Sequence, residues 1–466
     1  MKRSEVNREK LSPMMKQYME IKDKYEDSIL FYRLGDFYEM FFEDALTASR
    51  ELEITLTGRN SGLEEKVPMC GVPFHSYLPY LEKLVDKGYK VAVCEQLSPP
   101  DKKGVVERGV TQVVTKGTLM EGESLDEKSN NYIGSVYDFS HCFALSYADI
   151  STGFFGAELI SYNEDELINE IIRLDLKEVI VNSKISRKIV NTLRENYNLL
   201  VTISNDLENS YSYIYEDVSD VRLVTSIKHL LYYINDTKMK DLVHLQKVKV
   251  IKKNDTLHLD VHTKRNLELV ETLRLKERTY SLLWFLDKTK TAMGSRRLKE
   301  YIENPLVNKE EILRRHNLIS TFLTEFIYKE ELRELLNSVY DLERLSGRIS
   351  YGNANGKDLI QLKSSLKVLP DIKKILDEIG YDKSFDDLRD VYNLIEKSIK
   401  EDAPLSIKEG GIIKDNYNKE LDELRSLASG GKDFILSLEK EERERTGIKN
   451  LRVGFNKVFG YYIEVS

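Results

Sequence analysis

The sequence predicts a multidomain fold: two α/β domains, then a mostly helical domain, then a short, truncated β segment. Three observations carry this reading. A length of 466 residues corresponds to three or four domains at ~100–200 residues each. Pro13, Pro68, Pro73, Pro79, Pro99 and Pro100 all fall in the first hundred residues and the next proline is Pro305, so a loop-rich start gives way to a more regular chain. From about residue 260 the apolar residues change from alternation and short runs to helical spacing. The boundaries that follow are 1–120 for the first α/β domain, 121–131 for a polar linker (EGESLDEKSNN), 132–255 for the second, 256–448 for the helical domain and 449–466 for the β segment.

Pro13 suits the first turn of a helix that runs through Met14, Tyr18 and Ile21. The run SILFYRL (28–34) has a strand's β-branched and aromatic content, and Gly35-Asp36 follows as a turn. A short helix is expected over 45–52 and a strand over 54–57. An amphipathic helix over 76–87 turns Leu78, Leu81 and Leu84 inward, and a buried strand follows over 89–94. Beyond the linker, 132–137, 143–149 and 153–159 form a three-stranded meander, 165–174 a helix, and 178–181 a strand buried on both faces. Leu267, Leu269, Val270, Leu273 and Leu275 begin the helical pattern. Residues 415–445 read as almost one helix, with Leu421, Leu424, Leu427, Ile435 and Leu438 on one stripe and Gly430-Gly431 as a kink point. LRVGFNKVFGYYIEVS (451–466) is a strand, a turn and a strand. Its bare apolar edge is something natural sheets avoid, so the last residue is expected to be a cut.

Composition narrows the function classes. Hydrophobic residues make up 41% and charged residues 32%, too apolar for a disordered chain, and no run approaches the ~18 apolar residues of a membrane span. MKRSEVNREKLSP has no apolar core behind its charges, so no secretory signal is expected. Cys70, Cys94 and Cys142 are odd in number and far apart, which argues against a disulfide framework or zinc site and fits a reducing cytoplasm. A net charge of −8 argues against unselective coating of nucleic acid.

The most informative segment is LFYRLGDFYEMFFEDA (30–45). Alternation on the strand after the Gly-Asp turn sends Phe37 and Glu39 to one face and Tyr38 to the other. An aromatic ring and an acid two residues apart could address a nucleobase by stacking and hydrogen bonding. As an isolated tripeptide, the same pattern reads more simply as a buried Phe beside a solvated Glu. The surrounding text decides between them. GDFYEMFFEDA, ITLTGR (54–59), VPMCGVPFH (67–75), VAVCEQL (91–97) and VERGVTQVVTKGT (106–118) closely resemble the mismatch-recognition domain of the MutS family of bacterial DNA mismatch repair proteins. LDVHTKRNLELVETL (259–273), TAMGSRRLKEYIENPL (291–306) and DLERLSGRIS (341–350) resemble that family's core or lever domain, and 450–466 the start of its clamp.

The resemblance implies that residues 132–255 are a connector domain similar to ribonuclease H folds. It also implies that Phe37 wedges into the minor groove and stacks on a mispaired base while Glu39 hydrogen-bonds it. Arg59, Met69 and His75 are then further DNA contacts, with core packing an equal alternative for Met69 and His75. A wedge costs a few kcal/mol of unstacking, and a mismatch has already lost part of that stability, so selectivity comes from deformability. Residues 1–126 carry 18 Lys and Arg against 22 Asp and Glu, so phosphate affinity must come from elsewhere. Family partners are mismatched double-stranded DNA, a MutL-type protein and a second copy of the chain. ATP and magnesium serve the full-length family, whereas no cofactor is expected in this chain. No G-x-x-x-x-G-K-[ST] occurs, and Gly356-Lys357 and Gly431-Lys432 are each followed by Asp.

Two other classes compete. A ribonuclease H-like metal nuclease needs converging carboxylates, and YADISTGFF (147–155) offers Asp149 with only Asp138 on the flanking strands, so a turn-capping Asp149 is the better reading. A non-catalytic helical scaffold would only hold partners together. The run EKEERER (439–445) is a solvated helix face with i,i+4 pairs.

Overall fold

The computed structural model describes residues 3–98, 106–120, 122, 125–239, 241–252, 255–257, 259–381, 383–456 and 460–465. Pro99, Pro100 and part of the linker lie outside the described residues. Residues 1–354 and 368–385 form one compact unit, and 355–367 with 386–466 a second.

The first sheet forms because its strands alternate apolar residues to both faces and so need cover on each. Helix α1 (Pro13–Lys24) precedes β1 (Ser28–Leu34) and β2 (Phe37–Phe41). After them come α2 (Phe42–Leu52), β3 (Thr57–Arg59), β4 (Val67–Pro73), α3 (Leu78–Asp86), β5 (Lys90–Gln96) and β6 (Arg108–Val114). Strand order is β3-β4-β2-β1-β5-β6, with β1 and β5 parallel and the other pairs antiparallel. Met15, Tyr18 and Met19 of α1 cover Leu30, Tyr32, Phe41, Ala92 and Cys94 on one face. Ala45, Ala48, Leu81, Leu84 and Val85 of α2 and α3 cover Ile29, Phe31, Tyr38 and Met40 on the other. Burial pushes the Cys70 and Cys94 thiols up to about 12, which keeps them protonated.

One strand boundary moves. Residues 54–56 are not extended ladder: Glu53 takes the left-handed conformation (φ 58°) and the Ile54 amide bonds back to Ser49 O at 3.1 Å, closing α2, so the strand begins at Thr57.

The second sheet contains β7 (Tyr132–Asp138), β8 (Cys142–Asp149) and β9 (Phe154–Ser161) as the expected antiparallel meander. Next come α4 (Glu164–Arg173), β10 (Glu178–Val181), α5 (Arg187–Glu195), β11 (Leu200–Ile203), α6 (Val221–Lys238) and β12 (Lys249–Val250), in the order β11-β10-β7-β8-β9-β12. Leu223, Ile227, Leu230 and Ile234 of α6 cover one face, and α4 with α5 covers the other.

The helical region starts more raggedly than its pattern predicts. Helix α7 (Val261–Asn266) is short, and residues 267–281 are turns, with Glu268, Lys276 and Tyr280 at positive φ. Leu269 is buried, but Leu267 and Leu275 are mostly exposed, so the apolar spacing there forms no continuous buried face. Helices α8 (Leu282–Leu286), α9 (Ala292–Glu303), α10 (Lys309–Thr324), α11 (Phe326–Leu336), α12 (Leu342–Tyr351) and α13 (Gly356–Glu378) follow. The C-terminal half of the linker is held against this region. Arg344 donates to the Asp126 and Ser129 carbonyls at 2.9 and 2.8 Å, and Arg296 to the Glu127 carbonyl at 2.8 Å.

In the second unit, α14 (Arg389–Ser398) and α15 (Lys419–Thr446) precede a hairpin of β13 (Leu451–Asn456) and β14 (Gly460–Val465). Helix α15 begins at Lys419 because the Asn418 side chain caps it at Leu421 N, 2.9 Å, and it runs through Gly430-Gly431 without a break. Leu424 on its expected apolar stripe is exposed. Arg445 pairs with Glu442, but the Glu439–Arg443 pair turns to the hairpin instead of solvent: Arg443 donates to Leu451 O at 2.7 Å and Glu439 accepts from Val453 N at 3.1 Å, so the run is not wholly the solvated face expected.

Candidate functional site

The site is the end of the first sheet where α1 gives no cover. Leu34 pairs with Phe37, so Gly35-Asp36 is a two-residue hairpin turn. Gly35 stands at φ 58° and Asp36 is not at positive φ, the pattern of a type II′ turn with glycine first. The Phe74 amide donates to Asp36 O at 2.8 Å and ties the turn to the end of β4.

Beneath the strand, Tyr38 packs its ring against Phe31, Phe74 and Tyr77 at 5.0–5.9 Å and donates its hydroxyl to the Glu95 carboxylate. Burial and that carboxylate push the Tyr38 phenol far above its ordinary value, so it remains a donor. This anchor fixes which residues β2 presents on its other face. There, Phe41 is fully buried, the Glu39 side chain is 15% exposed and Phe37 is 47% exposed. Moving toward the turn, the same face passes from core to solvent.

The neighbouring strand shapes that face. Glu39 pairs with Gly71 and Phe37 with Pro73. A Cβ at Gly71 would stand 3.2 Å from Tyr38 O, 3.6 Å from Glu39 Cγ and 3.8 Å from Phe37 Cδ1. Phe37 and Glu39 therefore lean over a position with no side chain. No role for Gly71 was legible in the sequence; the signal that could have found it is an isolated glycine inside a strand, which marks close approach.

The structure brings some of the expected residues together and separates others. Arg59, at the end of β3, reaches across β4 and its guanidinium pairs with the Glu39 carboxylate. Met69 lies deeper on the same face, opposite Phe41 and Thr57, partly buried against the α1 core. Thr57 donates to Met69 O at 3.1 Å. His75 is exposed on the short turn after β4, two residues beyond the partner of Phe37. Chemically, the surface offers one half-exposed aromatic ring, a carboxylate already matched to a guanidinium, and a flat glycine floor. Such a surface can stack a ring on a planar partner and exchange hydrogen bonds.

The carboxylates of the middle sheet do not converge. Tyr132 pairs with Asp149 and Asp138 with Phe143, which puts Asp138 and Asp149 at opposite ends of the β7–β8 ladder. Asp149 is buried and accepts from Ser151 N (3.0 Å), Ser151 Oγ (2.6 Å) and Asn131 N (3.1 Å), while Asp138 accepts from Ser140 N (2.6 Å). Both act as turn caps.

Comparison with known proteins matches three family models: MutS domain I over residues 12–123, MutS domain II over 131–246 and MutS domain III over 262–457. Among curated proteins, the DNA mismatch repair protein MutS of Bacillus licheniformis is 46% identical over 464 residues, covering 98% of this chain and 53% of that protein. The protein of the same description from Bacillus subtilis is 47% identical over 462 residues, covering 98% of this chain and 54% of that protein. The chain thus spans about half the length of the curated relatives it matches.

Proposed function

The chain belongs to the MutS family, and from that premise we propose that it recognises mispaired bases and small unpaired loops in double-stranded DNA, the first step of mismatch repair. Phe37 is the wedge and Glu39 the hydrogen-bonding partner of the displaced base. The observation that carries this reading is the exposure gradient along β2. A large aromatic ring stands half exposed beside a paired carboxylate, while Tyr38 and Phe41 of the same strand are fully buried. Leaving a Phe ring in water forgoes about 1 kcal/mol of burial, which a purely structural strand would recover by packing it.

Arg59 supports the site by holding the carboxylate in place, and His75 stands near enough to the tip to meet the DNA backbone. Met69 is the weaker candidate, because its side chain is committed to the α1 core. By the same family reading, a protein of the relatives' length forms a homodimer, engages a MutL-type protein and uses ATP with magnesium. The residues here do not fit a phosphate loop: Gly356 opens α13 after a helix and Gly431 lies inside α15.

Fluorescence anisotropy with matched and single-mismatch duplexes of the same length tests the proposal. Preference for the mismatched duplex, lost in Phe37→Ala, supports it. Equal affinity of the wild-type chain for both duplexes would leave the helical scaffold as the better reading.

A further inference from the structure

A cavity of about 420 Å³ opens between strands β7–β9 and helices α7, α9 and α10, within the first compact unit and away from the Phe37 face. Its size falls inside the ~300–1,000 Å³ range of small-molecule sites. Eight Lys and Arg side chains line it against five Asp and Glu. Part of that positive charge is already matched: Arg173 is held by Glu170 and by Asn304 at 2.6 Å, and Arg297 and Lys249 share Glu300.

Three cations are left with unused donors. Lys264 is 7% exposed, and its ammonium makes no hydrogen bond, the Glu303 carboxylate standing 3.5 Å away. Arg315 lies 3.7 Å over the Tyr301 ring, which fixes the plane of its guanidinium, yet its buried Nε has no acceptor. Lys299 lines the cavity with no ion pair within 4 Å among the described residues, though its charge acts on Asp126. Burying a cation with only one, distant carboxylate partner is costly, and burial lowers the Lys264 pKa from its ordinary value even though Glu303 opposes that shift. An ammonium with one distant partner and a guanidinium Nε with none, beside one cationic cavity, leave room for a further acceptor.

We propose that this cavity binds a small phosphate-bearing anion, with Lys264, Lys299 and Arg315 supplying the donors. Such an anion offers several oxygens to point charges and to a planar fork at once, which neither water nor a single carboxylate matches. Tyr132 and Phe154 form an aromatic wall that a nucleobase can use and an inorganic anion cannot. The phosphate therefore comes either free or on a nucleotide.

Isothermal titration calorimetry of the 466-residue chain with inorganic pyrophosphate and with adenosine monophosphate, at fixed ionic strength, tests this. Saturable one-to-one binding of either anion is expected. Tighter binding of the monophosphate assigns a nucleotide, and equal or tighter binding of pyrophosphate assigns the free phosphate group. Lys264→Met and Arg315→Gln should each weaken binding about tenfold or more. Should Lys264→Met fail to fold by circular dichroism, the Lys299→Ala/Arg315→Gln double variant decides. No saturable heat with either anion overturns the proposal, as does binding that survives in the double variant or is matched by sulfate at a stoichiometry well above one.

Discussion

Replacing Phe37 by alanine separates a wedge from a core residue because the structure assigns each role a different energy. Full burial of a Phe side chain is worth ~1.5–3 kcal/mol. At 47% exposure about half of that is realised in the free protein, so truncation should cost ~1 kcal/mol of fold stability. In a unit of this size that lowers the melting temperature by only ~2–4 °C. Stacking on one base is worth ~1–3 kcal/mol by alanine substitution, so mismatch affinity should fall ~5- to 150-fold. Matched DNA resists insertion by the unstacking cost and should lose much less. Anisotropy titrations with paired matched and mismatched duplexes at low salt, alongside thermal melting, read both quantities. An unchanged ratio of the two affinities would refute the wedge. So would a stability loss above ~3 kcal/mol, which is the range of a buried Phe truncation.

Glu39→Gln keeps the shape of the side chain but removes the negative charge and releases Arg59. Homoduplex affinity should rise more than mismatch affinity, narrowing discrimination, and the effect should shrink with added salt. A drop in mismatch binding beyond ~10-fold with homoduplex unchanged would instead assign Glu39 as an ionised acceptor. The pair is partly exposed, so its loss should cost no more than ~1 kcal/mol of stability, read by denaturant titration. Glu178 is fully buried, and burial raises its carboxyl pKa despite hydrogen bonds from Thr115 and Tyr233. Its stabilising contribution is thus complete below the unfolded value of ~4.3 and lost as pH rises through the folded value. The melting temperature of Glu178→Gln minus that of wild type should increase from pH 4 to pH 8, and a pH-independent difference would contradict this. Arg296→Ala strands Asp341 and frees the Glu127 carbonyl, so a loss of ~3–5 kcal/mol and faster proteolysis within 125–131 are expected; Arg296→Lys should not rescue, because it cannot form the bidentate pair.

Local chemistry by itself determined the strands and helices of the first two domains. The β-branched and aromatic content of 28–34, the alternation in 37–41, the glycine turn between them, and the amphipathic spacing of 78–86 and 164–173 are each set by neighbours in the chain. Periodicity also put Phe37 and Glu39 on one face, opposite Tyr38. It could not say which face meets solvent, because both faces of that sheet read as apolar. That depended on how far α1 extends: it covers Phe41 and stops short of Phe37, a fact of packing between segments far apart in sequence. The Arg59–Glu39 pair, the glycine floor under Phe37 and the cationic cavity are of the same kind, assembled from side chains on different strands and helices. At 267–275 the order of influence reversed. Helical spacing was present, but with Leu269 buried and Leu267 and Leu275 left exposed no continuous apolar face formed, and the backbone took turns instead, since a short helix gains too little from its own hydrogen bonds to persist in water.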